Sequence, residues 1–400
     1  MTLFKGIPVA PMDPIFGLGA AYNKDARDFK INLTVGVYKD EVLQTPVLES
    51  IKLTETILLK EELNKEYSLI EGDKEYLSLV GSLVFGSSFF EQNHMFISSF
   101  QTVGGTGALR IGGEFLKKVV CEEIHISDPS WPNHKGIFSE VGLLVKNYPY
   151  YDLNTNSLDF VQMRTYLKGL APKSTVLFHT CCHNPSGADP SKHQWQELAT
   201  ICKERNLIPF FDSAYLGLGK TLGDDTYAIR LFASMGIEML IAVSFSKNFS
   251  LYGERIGALY IYSNEIETAQ KITSQIKTII RRNYSNPPIH GMKIVKEILR
   301  NPSLRAIWEE ELSLMRNRIL EMKSLFVEKL SLRVKNKDFS YLEQTNGMFC
   351  FCGLEKSVVE LLMKEYAIYM THDGRINVAG LTKNTIDYVV DSIAKVLNRI

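Results

Sequence analysis

From about residue 97 onward, short apolar runs rich in β-branched and aromatic residues alternate with longer stretches whose apolar positions recur at helical spacing. Strands are expected at Ser99–Val103, Ile124–Ser127, within Ser174–Thr180, in the stretch 207–219 with Asp212 at the strand's end, at Leu240–Val243 and at Ile256–Tyr262. Helices are expected after the Gly-Gly-Thr-Gly turn at 104–107, from about Pro190, over 263–282, over 302–331, and from about Asn384 to the C-terminus. Two prolines after Asn286 stop the third of these firmly. Strand alternating with helix is the signature of a parallel sheet covered by helices, so the fold class is α/β. Outside this core, Ile31–Val37 reads as a short strand, a further strand carries Phe349 and Phe351, and Arg375 opens another. There are no repeats and no low-complexity tract.

Four hundred residues exceed one small core and fit two closely packed lobes. Lys+Arg and Asp+Glu each number 45, so no excess charge points to nucleic acid or to an anionic membrane. The six cysteines match no zinc spacing, no metal is expected, and Cys181–Cys182 and Cys350–Cys352 lie in strand-like segments. Reduced, buried thiols and a cytoplasmic location follow as expectations, since there is neither a signal-peptide pattern nor an apolar run of about 18 residues.

The chemistry concentrates at 244–258. Lys247 stands where a buried strand opens into a loop, with Ser244, Ser246 and Arg255 nearby. Desolvation lowers a lysine's pKa and makes its amine a nucleophile toward a carbonyl, while hydroxyls and a guanidinium suit a phosphate dianion. Together these are the parts that hold pyridoxal phosphate as a Schiff base. Other residues fit that cofactor. Gly105 and Thr106 offer free N–H groups at a helix start, with Thr106 as its cap. Trp131 can stack on a flat ring. Asn184 and Tyr215 can hydrogen-bond a phenolic oxygen, and His179 can support Asp212 from behind. Asp212, following Phe210 and Phe211, needs a partner for its charge, and a protonated pyridine nitrogen supplies one. Arg375 has the planar fork for an α-carboxylate, and Gly36 lets backbone approach a ligand.

The string SFSKNFSLYGERIGA closely resembles the lysine motif of the aspartate aminotransferases, class I, fold-type I pyridoxal phosphate enzymes. The resemblance runs from about Val9 to the C-terminus. It departs at Phe245, where the family often has tyrosine, at Ser250 and Leu69, where it usually has glycine, and at Ser186, more often threonine. It implies a large lobe over residues 45–310 with a mostly parallel seven-stranded sheet, and a small lobe built from 1–44 and 311–400. It implies a homodimer in which Tyr67 reaches the neighbouring subunit's cofactor phosphate and Arg281 grips a distal carboxylate across the interface; Arg281 is the residue that matches the motif, and the adjacent Arg282 is the alternative. Trp131 and His134 would contact the cofactor face. The implied activity is ping-pong amino transfer from aspartate or glutamate to 2-oxoglutarate or oxaloacetate. An aromatic or dual-specificity aminotransferase of the same family is the alternative, since such enzymes retain both arginines.

Overall fold

The computed structural model describes residues 2–10, 14–62 and 64–399. Its strands, in chain order, are β1 (Ile31–Asn32), β2 (Ile97–Val103), β3 (Glu123–Asp128), β4 (Leu144–Pro149), β5 (Tyr151–Asp152), β6 (Ser157–Leu158), β7 (Thr175–His179), β8 (Ile208–Ser213), β9 (Met239–Ser244), β10 (Ile256–Tyr262), β11 (Phe349–Phe351), β12 (Ile368–Tyr369) and β13 (Arg375–Asn377). Seven of them form one sheet in the order β2-β10-β9-β8-β7-β3-β4. Only β10 runs against the rest, being antiparallel to both of its neighbours. The expected mostly parallel seven-stranded α/β sheet is therefore present.

Why the central strands read as unbroken apolar runs is clear from their two faces. Phe211, Ile241 and Val243 belong to one core cluster, whereas Phe210, Leu240 and Ala242 belong to the other. Side chains alternate along a strand, and helices cover both sides, so neither face can be polar. The helix Gly104–Val119 and the helix Ile266–Asn283 supply the second cluster through Leu109, Ile276 and Ile280.

A 32-residue helix, Pro302–Arg333, matches the expected 302–331 stretch. It starts on an Asn301 cap, whose side chain accepts from Ser303 N and Leu304 N, with proline in the first turn. Its first half touches the lysine loop: Trp308 Nε1 donates to Asn248 O at 2.9 Å and its ring stacks on Phe249. Its second half reaches residues near the C-terminus, where Arg318 donates to Leu381 O at 2.8 Å. The two ends of the chain also meet, because β1 pairs in parallel with β12. No helix among the described residues is long and apolar enough to cross a membrane.

Four local expectations are corrected. The strand expected over Ile31–Val37 stops at Asn32, because side chains take over its backbone groups. Asn32 Oδ1 accepts from Thr34 N at 3.0 Å, and Asn377 Nδ2 donates to Val35 O and Val37 O. The helix expected to be capped by Thr106 begins at Gly104, so Thr106 lies in its first turn with its hydroxyl left over. Cys181 and Cys182 lie in the turn beyond β7, where Cys182 has φ of 52°, and Cys121 is only half-buried. All six thiols are free. The last helix ends at Leu397, and residue 400 lies outside the described residues.

Candidate active site

The carboxyl ends of β2, β3, β7, β8 and β9 open on one crevice, which is where open α/β sheets place their ligands. A cavity of about 260 Å³ lies there, lined among others by Gly36, Gly105, Thr106, Trp131, His179, Asn184, Asp212, Tyr215, Ser244, Ser246, Lys247, Arg255 and Arg375. All thirteen were candidates from sequence alone. The parallel register explains the central pair. Asp212 in β8 lies opposite Ala242 in β9, and Lys247 follows five residues after Ala242, so the two charges reach the same end of the sheet.

One end of the cavity is built for an anion. The helix Gly104–Val119 points its first-turn N–H groups at it, including those of Gly105 and Thr106. Ser244 Oγ lies 3.2 Å from Ser246 Oγ, and Arg255 Nη1 donates to Ser246 Oγ at 3.2 Å and to Tyr252 O at 3.3 Å. Those hydrogen bonds are all to neutral oxygens, so the guanidinium meets no carboxylate among the described residues. Gly105 is required by close approach: a Cβ there would lie 2.9 Å from Ser244 Cβ.

At mid-cavity, His134 Nε2 donates to Asp212 Oδ2 at 2.9 Å, and His134 Nδ1 lies 2.8 Å from Ser130 Oγ. Burial alone would raise the Asp212 carboxyl's pKa. The hydrogen bond from His134, aided by the nearby Lys247 amine, holds it below its ordinary value instead. His179, expected to support Asp212 from behind, stands edge-on to His134 at 5.1 Å, so that its support runs through His134. Its Nδ1 accepts from Asn184 N at 3.1 Å, and burial pushes its pKa down to about 3, so it is neutral. Its Nε2 is then a buried N–H with no partner. Trp131 lies edge-on to His134 at 5.2 Å, at the start of the helix Pro132–Glu140.

Lys247 Nζ sits 4.8 Å from the centre of the Tyr215 ring. Burial lowers its pKa and Arg255 lowers it further, while Asp212 opposes them. The amine is thus poised toward its neutral, nucleophilic form. Burial pushes the Tyr215 hydroxyl pKa far upward, and Asn184 Nδ2 stands 3.5 Å from it.

At the far end, Arg375 Nη1 donates to Asn184 Oδ1 at 3.1 Å and Nη2 to Thr34 O at 2.9 Å. Its Nε is buried without a partner, and its guanidinium lies 4.6 Å from the centre of the Phe349 ring. Gly36 is small for the same aromatic, since a Cβ there would touch Phe349 Cζ at 3.0 Å. The cavity therefore carries one carboxylate between two cations that lack counter-ions. A ligand with a phosphate, a basic ring nitrogen and a separate carboxylate partner fits that donor set.

Tyr67 and Arg281 are not in this chain's cavity. Tyr67 is 85% exposed, and Arg281 is exposed and hydrogen-bonded to Ser285; Arg282 is exposed too. Sequence reasoning missed Tyr252 and Phe349 as lining residues. Tyr252 lay within the lysine string, and its hydroxyl accepts from Tyr38 N at 2.9 Å. Phe349 carried no local signal, because it enters only when β11 pairs with β13.

The departure at Ser250 has a local cause. Its φ is 54°, a left-handed conformation that favours glycine, and its hydroxyl donates to Pro46 O at 2.7 Å. Ser250→Ala keeps the strain and loses the bond, so denaturant titration should show a loss of about 1 kcal/mol. Ser250→Gly loses the same bond but relieves about 1 kcal/mol of strain, and should stay near the parent. Equal losses would show that the conformation is unstrained.

Comparison with known proteins agrees with this geometry. The family model for aminotransferase class I and II matches residues 28–393. An aspartate aminotransferase of Salmonella typhi is 45% identical over 396 residues, spanning 99% of this chain and 100% of that protein. A chloroplastic aspartate aminotransferase of Arabidopsis thaliana is 41% identical, spanning 100% of this chain and 89% of its own. Among solved structures, an aromatic-amino-acid aminotransferase from Burkholderia pseudomallei, covalently bound to pyridoxal phosphate, superimposes with a TM-score of 0.96 at 42% identity, over 99% of this chain and 100% of that one. With a family match over nearly its whole length and a lysine, an aspartate and two arginines gathered in one crevice, this chain belongs to the class I and II aminotransferases.

Proposed function

We propose that the chain binds pyridoxal 5′-phosphate and transfers the amino group of L-aspartate or L-glutamate to 2-oxoglutarate or oxaloacetate in a ping-pong sequence. The observation that carries this reading is the pair of uncompensated guanidiniums, Arg255 and Arg375, at opposite ends of a cavity with Lys247 and Asp212 between them. Pyridoxal phosphate, when bound, supplies an aldehyde that condenses with amines and a ring that spreads negative charge from an adjacent carbon.

The residues divide the work by position. Gly105, Thr106, Ser244, Ser246 and Arg255 hold the phosphate, with Tyr67 from a second copy of the chain. Asp212, braced by His134, keeps a proton on the ring nitrogen. Asn184 and Tyr215 face the phenolic oxygen, and Trp131 covers the ring. Arg375 takes the amino acid's α-carboxylate in a two-pronged grip, a charged partner in place of the neutral oxygens of Asn184 and Thr34. Lys247 removes the proton from the substrate's α-carbon as general base and returns it as general acid. Burial lowers its pKa, which favours the neutral amine that removes the proton.

A homodimer belongs to this reading. Tyr67 and Arg281 are exposed and outside their own chain's cavity, as residues that complete a second chain's cavity would be. So does a division into a large lobe, residues 45–310, and a small lobe from 1–44 and 311–400. It is supported by the β1–β12 pairing and by the sheet lying wholly within 97–262.

A second reading, amino transfer from aromatic amino acids, is favoured by the high structural similarity to the Burkholderia protein. Turnover of aspartate and of phenylalanine, each with 2-oxoglutarate, separates the two. Arg281→Asp sharpens the comparison: kcat/KM for aspartate should fall about a hundredfold, by loss of one charge-assisted pair and gain of a like charge, and that for phenylalanine should change little. Equal losses would remove the case for Arg281 as the distal-carboxylate residue.

A further inference from the structure

A second cavity, of about 580 Å³, opens where the helices Lys74–Phe85, Ser87–Asn93, Tyr227–Ser234 and Pro302–Arg333 meet. Three guanidiniums line it: Arg230, Arg305 and Arg316. The last two lie 11 positions apart on one helix (316 − 305), about three turns, and so share a face. Arg305 pairs with Glu309 at 2.9 Å. The other two bind only neutral oxygens. Arg230 caps the end of the helix Lys74–Phe85, donating to Leu83 O at 3.0 Å and Val84 O at 3.3 Å. Arg316 Nη1 donates to Gly217 O at 2.9 Å. Two of three cations thus have no counter-ion among the described residues. Burial depresses the Arg230 guanidinium below its usual pKa, as expected where solvent is removed and no opposite charge replaces it. Ser82 and Ser87 bring hydroxyls to the same wall.

We propose that this cavity is a binding site for a compact polyanion of the phosphate class, gripped by Arg230 and Arg316 with Arg305 and the two serines at its rim. Planar guanidinium forks brought to one cavity by two helices, with hydroxyl donors on the same wall, are the chemistry that recognises phosphoryl oxygens. The one acidic side chain on the wall is already neutralised. The site is also tied to the catalytic cavity through the chain. Gly217, whose carbonyl Arg316 holds, comes two residues after Tyr215, and Gly217 N donates to Asp225 Oδ2 at 2.8 Å. An occupant that engages Arg316 therefore reaches the loop bearing Tyr215 without entering the crevice.

Inorganic pyrophosphate titrated calorimetrically into the cofactor-loaded protein tests the proposal. This choice of protein rests on the reading above, because the bound cofactor fills the other anion site. Loading is checked separately by its absorbance, so failure to load is distinct from failure to bind pyrophosphate. One site per chain is expected, weakened at least about tenfold by Arg316→Gln and by Arg230→Gln. Ser87→Asp, at an exposed position in the first turn of its helix, should weaken it similarly by adding a negative charge while leaving all three guanidiniums in place. Saturating aspartate should leave the binding in place. Absence of binding at millimolar pyrophosphate, affinity unchanged in Ser87→Asp and Arg316→Gln, or displacement by aspartate would each overturn it.

Discussion

Lys247→Ala is expected to lower amino transfer by about 10⁴-fold or more while leaving the protein folded. Both halves come from the same geometry. The side chain is the one group at mid-cavity able to attack an aldehyde and then to carry a proton, and general acid–base work alone accounts for about 10²–10⁴-fold. Yet its amine contributes little to the fold. Burial disfavours its charged form, and no side-chain hydrogen bond holds it among the described residues. Thermal unfolding of the cofactor-free variant should therefore occur at or above the parent's temperature, the usual trade of stability for activity at a working site. Absorbance above 300 nm after adding pyridoxal phosphate and borohydride trapping at residue 247 are the direct readouts. Turnover within tenfold of the parent would remove Lys247 from its proposed role.

The second large effect is at Asp212. Asp212→Ala should retain cofactor, because the phosphate end of the cavity is untouched, and should slow α-proton removal about 10³-fold, the scale seen when a preorganised charge partner is lost. Exchange of the substrate α-proton in heavy water, followed alongside cofactor absorbance, separates proton abstraction from binding. A pH shift accompanies it, with a definite sign. Asp212 is the neighbour that raises the Lys247 pKa, against burial and Arg255. Removing it moves that pKa further down, so the acid limb of the pH profile shifts to lower pH. A limb that stayed in place or moved upward would mean that the two groups do not interact as described.

How much of this was legible in the chain depends on the range of the interaction. β8, β9 and β10 announced themselves as apolar runs because both of their faces are buried. The anion end was legible because Ser244, Ser246, Lys247 and Arg255 lie within twelve consecutive residues. Asp212 was a candidate on chemistry, but its meeting with Lys247 depends on strand register, a non-local fact. The length of β1 could not be read locally, since Asn377 takes the carbonyls that would have extended it. For the same reason Phe349 went unnoticed beside Gly36. That His134 makes the bond to Asp212 was not legible, as sequence spacing does not say which of two histidines reaches it.

The pairing of β1 with β12 joins Ile31 to Ile368, 337 positions later (368 − 31). On a translating ribosome, the lysine loop and the helix start that faces it emerge well before Arg375 can arrive. The anion end of the crevice draws on segments closer in sequence, whereas the end that carries Arg375 needs a pairing of very long range, the slower kind of contact to form. The two ends of the crevice therefore differ in how much of the chain each requires, the anion end drawing on residues 104 to 255 and the carboxylate end on Arg375 as well.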